Sequence, residues 1–294
     1  MPEIHVYKET PNCPIHLDIY TPPNVCKPYP TIIWVPGGAL MGGSRAYHEI
    51  RMGQYAPRGY ALVPIDYRIA PETKLPEIVS DVQDALTWVR EKGPEVADLD
   101  PDRVGMVGHS AGGYLTLMAG TFPNPPKALV SFYGYGDIVG AWYSEPDPES
   151  CEDPMVSEQE ARRNHSGPPI SQCEDRPNNG EGDFYLYCRQ RGIWPNEVGG
   201  RDPQEDPDFF VPYCPEQNVA ESYPPTMLLH GTNDSDVPYA LSVQMAAALE
   251  KKGIEHQLLT MEGGEHGFEY HEDRFPHTWW HTVFDFLDRH LRDA

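Results

Sequence analysis

A short apolar run, Arg103-Val-Gly-Met-Val-Gly108, passes directly into His109-Ser-Ala-Gly-Gly113. A serine between close-set glycines after such a run has the form of a nucleophile elbow, in which a strand turns abruptly into a helix and holds the serine at the tip. The backbone there is strained and leaves no room for side chains two residues away, so Gly108 and Gly112 remove the collisions. The pattern therefore demands a strand before Ser110 and a helix after it. Because chance also produces it, the rest of the chain has to supply the matching architecture.

The surrounding periodicities do so. Ile15-His-Leu-Asp-Ile-Tyr20 alternates like an edge strand, whereas Thr31-Ile-Ile-Trp-Val35 and Tyr60-Ala-Leu-Val-Pro-Ile65 are almost continuously apolar. Such runs suit strands buried on both faces of a parallel sheet. Between Pro76 and Lys92, Ile78, Val82, Ala85, Leu86 and Val89 recur at helical spacing, with Asp81, Gln83, Asp84 and Arg90 assigned to the opposite, solvent side. A helix over 113–120 follows the elbow. Strands are predicted at Lys127–Tyr133, Thr226–His230 and His256–Met261, and helices at about Tyr239–Lys252 and Pro276–Leu291. Strands alternating with helices predict an α/β fold, a mostly parallel sheet with helices on both faces.

From about Ile138 to Tyr223 this rhythm stops, and Pro, Asp, Glu, Asn and Gly dominate. Apolar clusters survive at Phe184-Tyr-Leu-Tyr187, Ile193-Trp194 and Phe209-Phe-Val211, enough aromatic surface to order the chain. The expected organisation is a catalytic domain formed by residues 1–137 and 224–294, with 138–223 inserted as a cap.

A formal net charge of −23 over 294 residues disfavours nucleic acid and anionic membrane surfaces as partners. No stretch approaches a membrane span, and Met-Pro-Glu-Ile-His lacks the basic start and apolar core of a signal peptide. A soluble, cytoplasmic protein is expected. Its six cysteines form no Cys-x-x-Cys pair and are expected as free thiols.

A serine hydroxyl needs a base to take its proton, and the base needs a carboxylate to fix its tautomer. Both should follow later strands. Gly231-Thr-Asn-Asp-Ser-Asp-Val-Pro238 places Asp234 just after one strand, with Asp236 as a rival that could instead favour the start of the next helix. Glu262-Gly-Gly-Glu-His-Gly-Phe268 places His266 after the next, with His271 as its rival. Upstream, the glycines of Pro36-Gly-Gly-Ala-Leu-Met-Gly-Gly-Ser44 allow backbone N–H groups to point into a pocket where an oxyanion develops. The order Ser, Asp, His is that of α/β-hydrolases.

The chain resembles the hormone-sensitive-lipase-like esterases of the α/β-hydrolase superfamily over nearly all of its length outside 138–223. The family's His-Gly-Gly-Gly, Asp-Tyr-Arg-Leu-Ala-Pro-Glu, Gly-Asp-Ser-Ala-Gly-Gly, His-Gly-x-x-Asp and Gly-His-Gly-Phe stretches correspond to Pro36–Ala39, Asp66–Glu72, Gly108–Gly113, His230–Asp234 and Glu265–Phe268. The resemblance implies a triad of Ser110, Asp234 and His266, and an oxyanion hole from the N–H groups of Gly38, Ala39 and Ala111. Pro36 stands where the family has a histidine that helps hold the loop, and His109 where it has an aspartate.

The implied activity is a serine carboxylesterase acting through an acyl-enzyme on small neutral esters, with no metal or organic cofactor. Trp142 and Tyr143 are candidates for shaping the substrate pocket. The same residues would serve a lactone, thioester or arylformamide hydrolase. A prolyl-oligopeptidase-like peptidase is less favoured because such proteins usually carry a large propeller. A non-catalytic ligand receptor is disfavoured by the intact triad.

Overall fold

A computed structural model describes residues 2–46, 53–177, 183–271, 274 and 279–292. Eight strands are present among them: β1 (Glu3–Lys8), β2 (Ile15–Ile19), β3 (Tyr29–Val35), β4 (Ala61–Pro64), β5 (Leu99–His109), β6 (Ala128–Phe132), β7 (Thr226–Gly231) and β8 (His256–Met261). The principal helices are α1 (Leu75–Glu91), α2 (Ala111–Ala119), α3 (Asp183–Arg191), α4 (Trp194–Gly199), α5 (Tyr239–Lys251) and α6 (Trp279–Leu291). The start predicted for the last of these, near Pro276, lies outside the described residues.

Strands β3 to β8 form a parallel sheet in the order β4-β3-β5-β6-β7-β8. β1 and β2 form an antiparallel hairpin that the periodicity reading only half anticipated, since β1 turns Ile4 and Val6 outward. Reciprocal backbone bonds of 2.9 Å between Tyr20 and Leu62 attach this hairpin alongside β4. The α/β expectation holds.

Every residue of β3 is buried, which is why its sequence runs apolar without alternation. Ile33 and Val35 join the layer packed by α1, α2 and α5, while Ile32 and Trp34 join the opposite layer packed by α6. Burial of each such side chain contributes roughly 1.5–3 kcal/mol. One helical assignment is corrected. Asp81, placed by period on the solvent side of α1, is fully buried. Arg68 Nη2 and Lys8 Nζ each stand 2.7 Å from its Oδ1, because the β1–β2 hairpin lies over this part of α1.

The 138–223 segment joins β6 to β7 and contains α3 and α4 among shorter helical turns. Phe184, Tyr187, Trp194 and Phe210 are buried, so the aromatic clusters form its core, whereas Val211 is exposed. No disulfide joins Cys13, Cys26, Cys151, Cys188 or Cys214. Among the described residues no helix is long and apolar enough to cross a membrane.

Candidate active site

The site sits at the carboxyl ends of the parallel strands, where loops from an open α/β sheet converge. β5 ends at His109 and α2 begins at Ala111, leaving Ser110 alone in the turn at φ 56°, ψ −121°. A non-glycine residue held this way costs about 1–3 kcal/mol and needs its surroundings to fix it. They do so by close approach. A Cβ on Gly108 would lie 2.1 Å from the Gly112 carbonyl oxygen, and one on Gly112 would lie 2.1 Å from that of Val35. Ser110 N–H also donates to Phe132 O at 2.9 Å, tying the turn to the end of β6.

His266 comes from the loop after β8 and Asp234 from the loop after β7. The structure brings both to Ser110. His266 Nε2 is 3.1 Å from Ser110 Oγ, and His266 Nδ1 is 2.8 Å from Asp234 Oδ2. The other carboxylate oxygen accepts the N–H groups of Asp236 and Val237 at 3.0 and 2.8 Å, and His230 Nε2 lies 3.2 Å from Oδ2. Burial acts to raise the Asp234 carboxyl, but hydrogen bonds from His230, His266 and Val237 prevail and bring it down to about 2. For His266, burial acts to lower the imidazole, yet the Asp234 hydrogen bond and the charges of Asp236, Asp234 and Glu269 together raise it.

The rivals lie elsewhere. Asp236 Oδ2 is 3.7 Å from His266 Nε2, on the wrong ring nitrogen for an orienting acid, and its Oδ1 is bonded to Tyr185 of α3 at 2.7 Å. His271 is exposed, and among the described residues no bond joins it to Ser110 or Asp234.

The glycine loop after β3 turns back at Gly38, Ala39 and Leu40, with φ of 118°, 54° and 59°. A Cβ on Gly38 would lie 2.5 Å from the Gly42 carbonyl, which demands glycine there. Among the described residues, the N–H groups of Gly38, Ala39 and Ala111 meet no acceptor, the last because it opens a helix. The loop packs against the elbow at Gly37, where a Cβ would lie 3.2 Å from that of Ser110, and partnerless donors on such a loop suit a developing oxyanion. Where the histidine is replaced by Pro36, other groups hold the loop. Tyr67 OH donates to Pro36 O at 2.8 Å, Ala70 N–H to Leu40 O at 2.7 Å, and Trp194 Nε1 to Ala39 O at 3.0 Å. Arg176, paired with Glu72, donates to Met41 O and to Ala70 O.

Sequence reading missed Trp194, Arg176 and Tyr67 as supports, and also a buried cluster behind the elbow. There His109 Nδ1 is 2.9 Å from Glu269 Oε1, Tyr133 OH donates to the same oxygen, and the Tyr133 ring lies 4.5 Å from that of His266. Only the presence of His109 hinted at it. Of the two pocket candidates, Tyr143 is buried and stacked between Trp142 at 3.6 Å and Trp194 at 3.9 Å, while Trp142 is partly buried. Among the described residues no group of three His, Cys, Asp or Glu could hold a metal ion.

Known proteins resemble this chain in sequence and in fold. The BD-FAE family matches residues 17–158, and the prolyl oligopeptidase family matches residues 185–294. Esterase LipC of Mycobacterium tuberculosis is 26% identical over 83% of this chain and 54% of its own length. The non-reducing polyketide synthase pkbA of Emericella nidulans is 27% identical over 93% of this chain, but over only 13% of its own. The chain thus spans between an eighth and about half of these curated relatives. In three dimensions it matches a Staphylococcus aureus protein of unknown function with TM-score 0.76, at 20% identity and 95% coverage of both chains. It also matches esterase Est2 of Thermogutta terrifontis with TM-score 0.69, at 23% identity over 98% of this chain and 92% of that one. Fold, chain order and family matches lead to one conclusion: this chain has the α/β-hydrolase fold and is similar to carboxylesterases.

Proposed function

We propose that the protein is a serine carboxylic-ester hydrolase that works through an acyl-enzyme. The observation that carries this reading is the continuous relay from Ser110 Oγ through His266 to Asp234, at 3.1 and 2.8 Å. In this scheme His266 Nε2 takes the Ser110 proton as Oγ attacks the ester carbonyl carbon. The carbonyl oxygen becomes an oxyanion held by the N–H groups of Gly38, Ala39 and Ala111. When the intermediate collapses, the carbon–alkoxy bond breaks and Nε2 passes its proton to the leaving oxygen, releasing the alcohol. Water, deprotonated by the same imidazole, then frees the acid and restores Ser110.

Small neutral esters are the proposed substrates. Trp142 is the candidate for contact with them, and Tyr143 backs it as the middle ring of the stack. Esterase relatives support an ester over an amide, while the prolyl oligopeptidase match keeps a peptidase reading in play. A panel of p-nitrophenyl esters, lactones, thioesters, an arylformamide and a prolyl anilide tests the choice. Ester turnover with a fluorophosphonate adduct on Ser110 is expected. A folded protein that takes no label at Ser110 refutes the hydrolase reading, and preference for the anilide would replace it with the peptidase.

A further inference from the structure

Asp236 stands outside the relay, yet its Oδ2 lies 3.7 Å from His266 Nε2, the nitrogen that faces Ser110. Its other oxygen is fixed from the insertion. Tyr185 OH donates to Oδ1 at 2.7 Å, and Arg189 Nη1 stands 3.7 Å from the same atom. Arg189 is buried, lies 3.1 Å from Asp147 and donates to the Asp236 carbonyl oxygen at 3.2 Å. The Asp236 side chain nevertheless remains 36% exposed, and among the described residues its Oδ2 accepts no hydrogen bond. A carboxylate is thus held by one oxygen and offers the other beside the reacting nitrogen.

When Nε2 gives its proton to the departing alcohol, the alkoxy oxygen has to lie within about 2.6–3.2 Å of it. That oxygen and Asp236 Oδ2 then share one neighbour. A substituent on the carbon next to the esterified one comes within reach of Oδ2. An ionised carboxylate only accepts, so it favours a donor there and disfavours carbon or an anion. Arg189, shared between Asp147 at 3.1 Å and Asp236 at 3.7 Å, offsets part of the negative charge, and a quaternary ammonium has no proton to donate, which together favour a neutral hydroxyl.

We infer that Asp236 is a specificity-determining residue that selects esters whose alcohol carries a hydroxyl next to the esterified carbon, that is, acyl esters of vicinal diols and polyols. The inference rests on the proposed hydrolase function and names the alcohol that site takes. Its test compares three butanoate esters that share one acyl group: 2-hydroxyethyl, 2-methoxyethyl and choline. For the wild-type protein kcat/KM for the hydroxyethyl ester should exceed that for the methoxyethyl ester by about tenfold, the scale of one hydrogen bond to a charged group. In Asp236→Ala the advantage should fall to within about twofold, as expected when that bond is lost. Rates are compared on the high-pH plateau, where His266 is neutral in both proteins. Tyr185→Phe keeps the carboxylate but frees its Oδ1, and should give an intermediate ratio. Equal wild-type rates for the two neutral esters overturn the inference even if Asp236→Ala fails to fold, as does preference for the choline ester or an advantage that survives in Asp236→Ala. Absence of turnover on all three and on p-nitrophenyl butanoate overturns the hydrolase reading instead.

Discussion

Along β3, residues Ile32 to Val35 are fully enclosed by apolar side chains from two layers of helices. Where the 138–223 insertion meets the sheet domain, many of its ties are polar: Trp194 to Ala39, Arg176 to Glu72, Gln172 to Asp66 at 3.0 Å, Lys74 to Glu197 O at 2.6 Å, and Tyr185 to Asp236. Two of these ties end on loops that carry the proposed donors or the proposed acid. Nonpolar burial sets the strand ends to which Ser110, Asp234 and His266 are attached, while directional bonds from the insertion set the loops between them. The comparison teaches that chemistry and its tuning rest on different forces, so substitutions should separate them.

The largest separation is expected from Ser110→Ala, which should lower kcat on p-nitrophenyl esters by about 10⁶-fold while leaving the urea midpoint nearly unchanged. Undiminished turnover would mean that another residue is the nucleophile. Asp234→Asn should cost about 10⁴-fold in kcat through the wrong imidazole tautomer, and Asp236→Asn far less. An equal loss in both would dissolve the distinction between relay and rim.

The same acid predicts a pH profile. His266 must be neutral to accept a proton, and its titration is raised, so kcat/KM should climb through a pH above the ordinary imidazole value of 6.5. The stability contributed by His266 is present below 6.5 and lost as the pH rises through its folded value. Asp234 works in the other direction. Its contribution is present above 3.8 and lost as the pH falls toward about 2. Asn at 234 should move the activity limb to lower pH, and an unmoved limb would assign it to another group.

Smaller effects probe the insertion. Arg176 and Glu72 are each 2% exposed, so Arg176→Ala leaves a buried carboxylate unpaired. A loss of about 3–5 kcal/mol is expected in urea unfolding; a loss below 1 kcal/mol, by the scale of exposed pairs, would show that water reaches the pair. Least disruptive is Trp194→Phe, which keeps the stacked ring but deletes its bond to Ala39 O. It should cost about 1 kcal/mol of stability and lower kcat about fivefold with little change in KM. A change confined to KM would place Trp194 on the substrate side of the loop instead.

Legibility in the sequence followed the range of the interactions. β5, the elbow and the loops holding Asp234 and His266 were readable because strand period and turn glycines are local signals. The bond from Trp194 to Ala39 spans 155 positions, and no local pattern announces it. Asp81 was misplaced for a related reason, since the period of α1 alone contains nothing about Lys8 lying above it. Strand β1 escaped because its apolar Ile4 and Val6 face outward rather than into a core. Tyr67 sat in a recognisable motif, but its hydrogen bond to Pro36 O depends on how two loops meet.

Strands β6 and β7 are parallel neighbours, and the 138–223 segment is the chain that carries one to the other. Parallel neighbours require a connection of a dozen residues or more, because the chain must return to the opposite end of the sheet. The insertion is therefore not an ornament that protein engineering could trim away. Excising it would remove the only path to β7, and with it the strand that delivers Asp234. A minimal version of this protein would need a replacement helix threaded along the same face, and transplants of the segment between relatives would have to preserve its return to the start of β7.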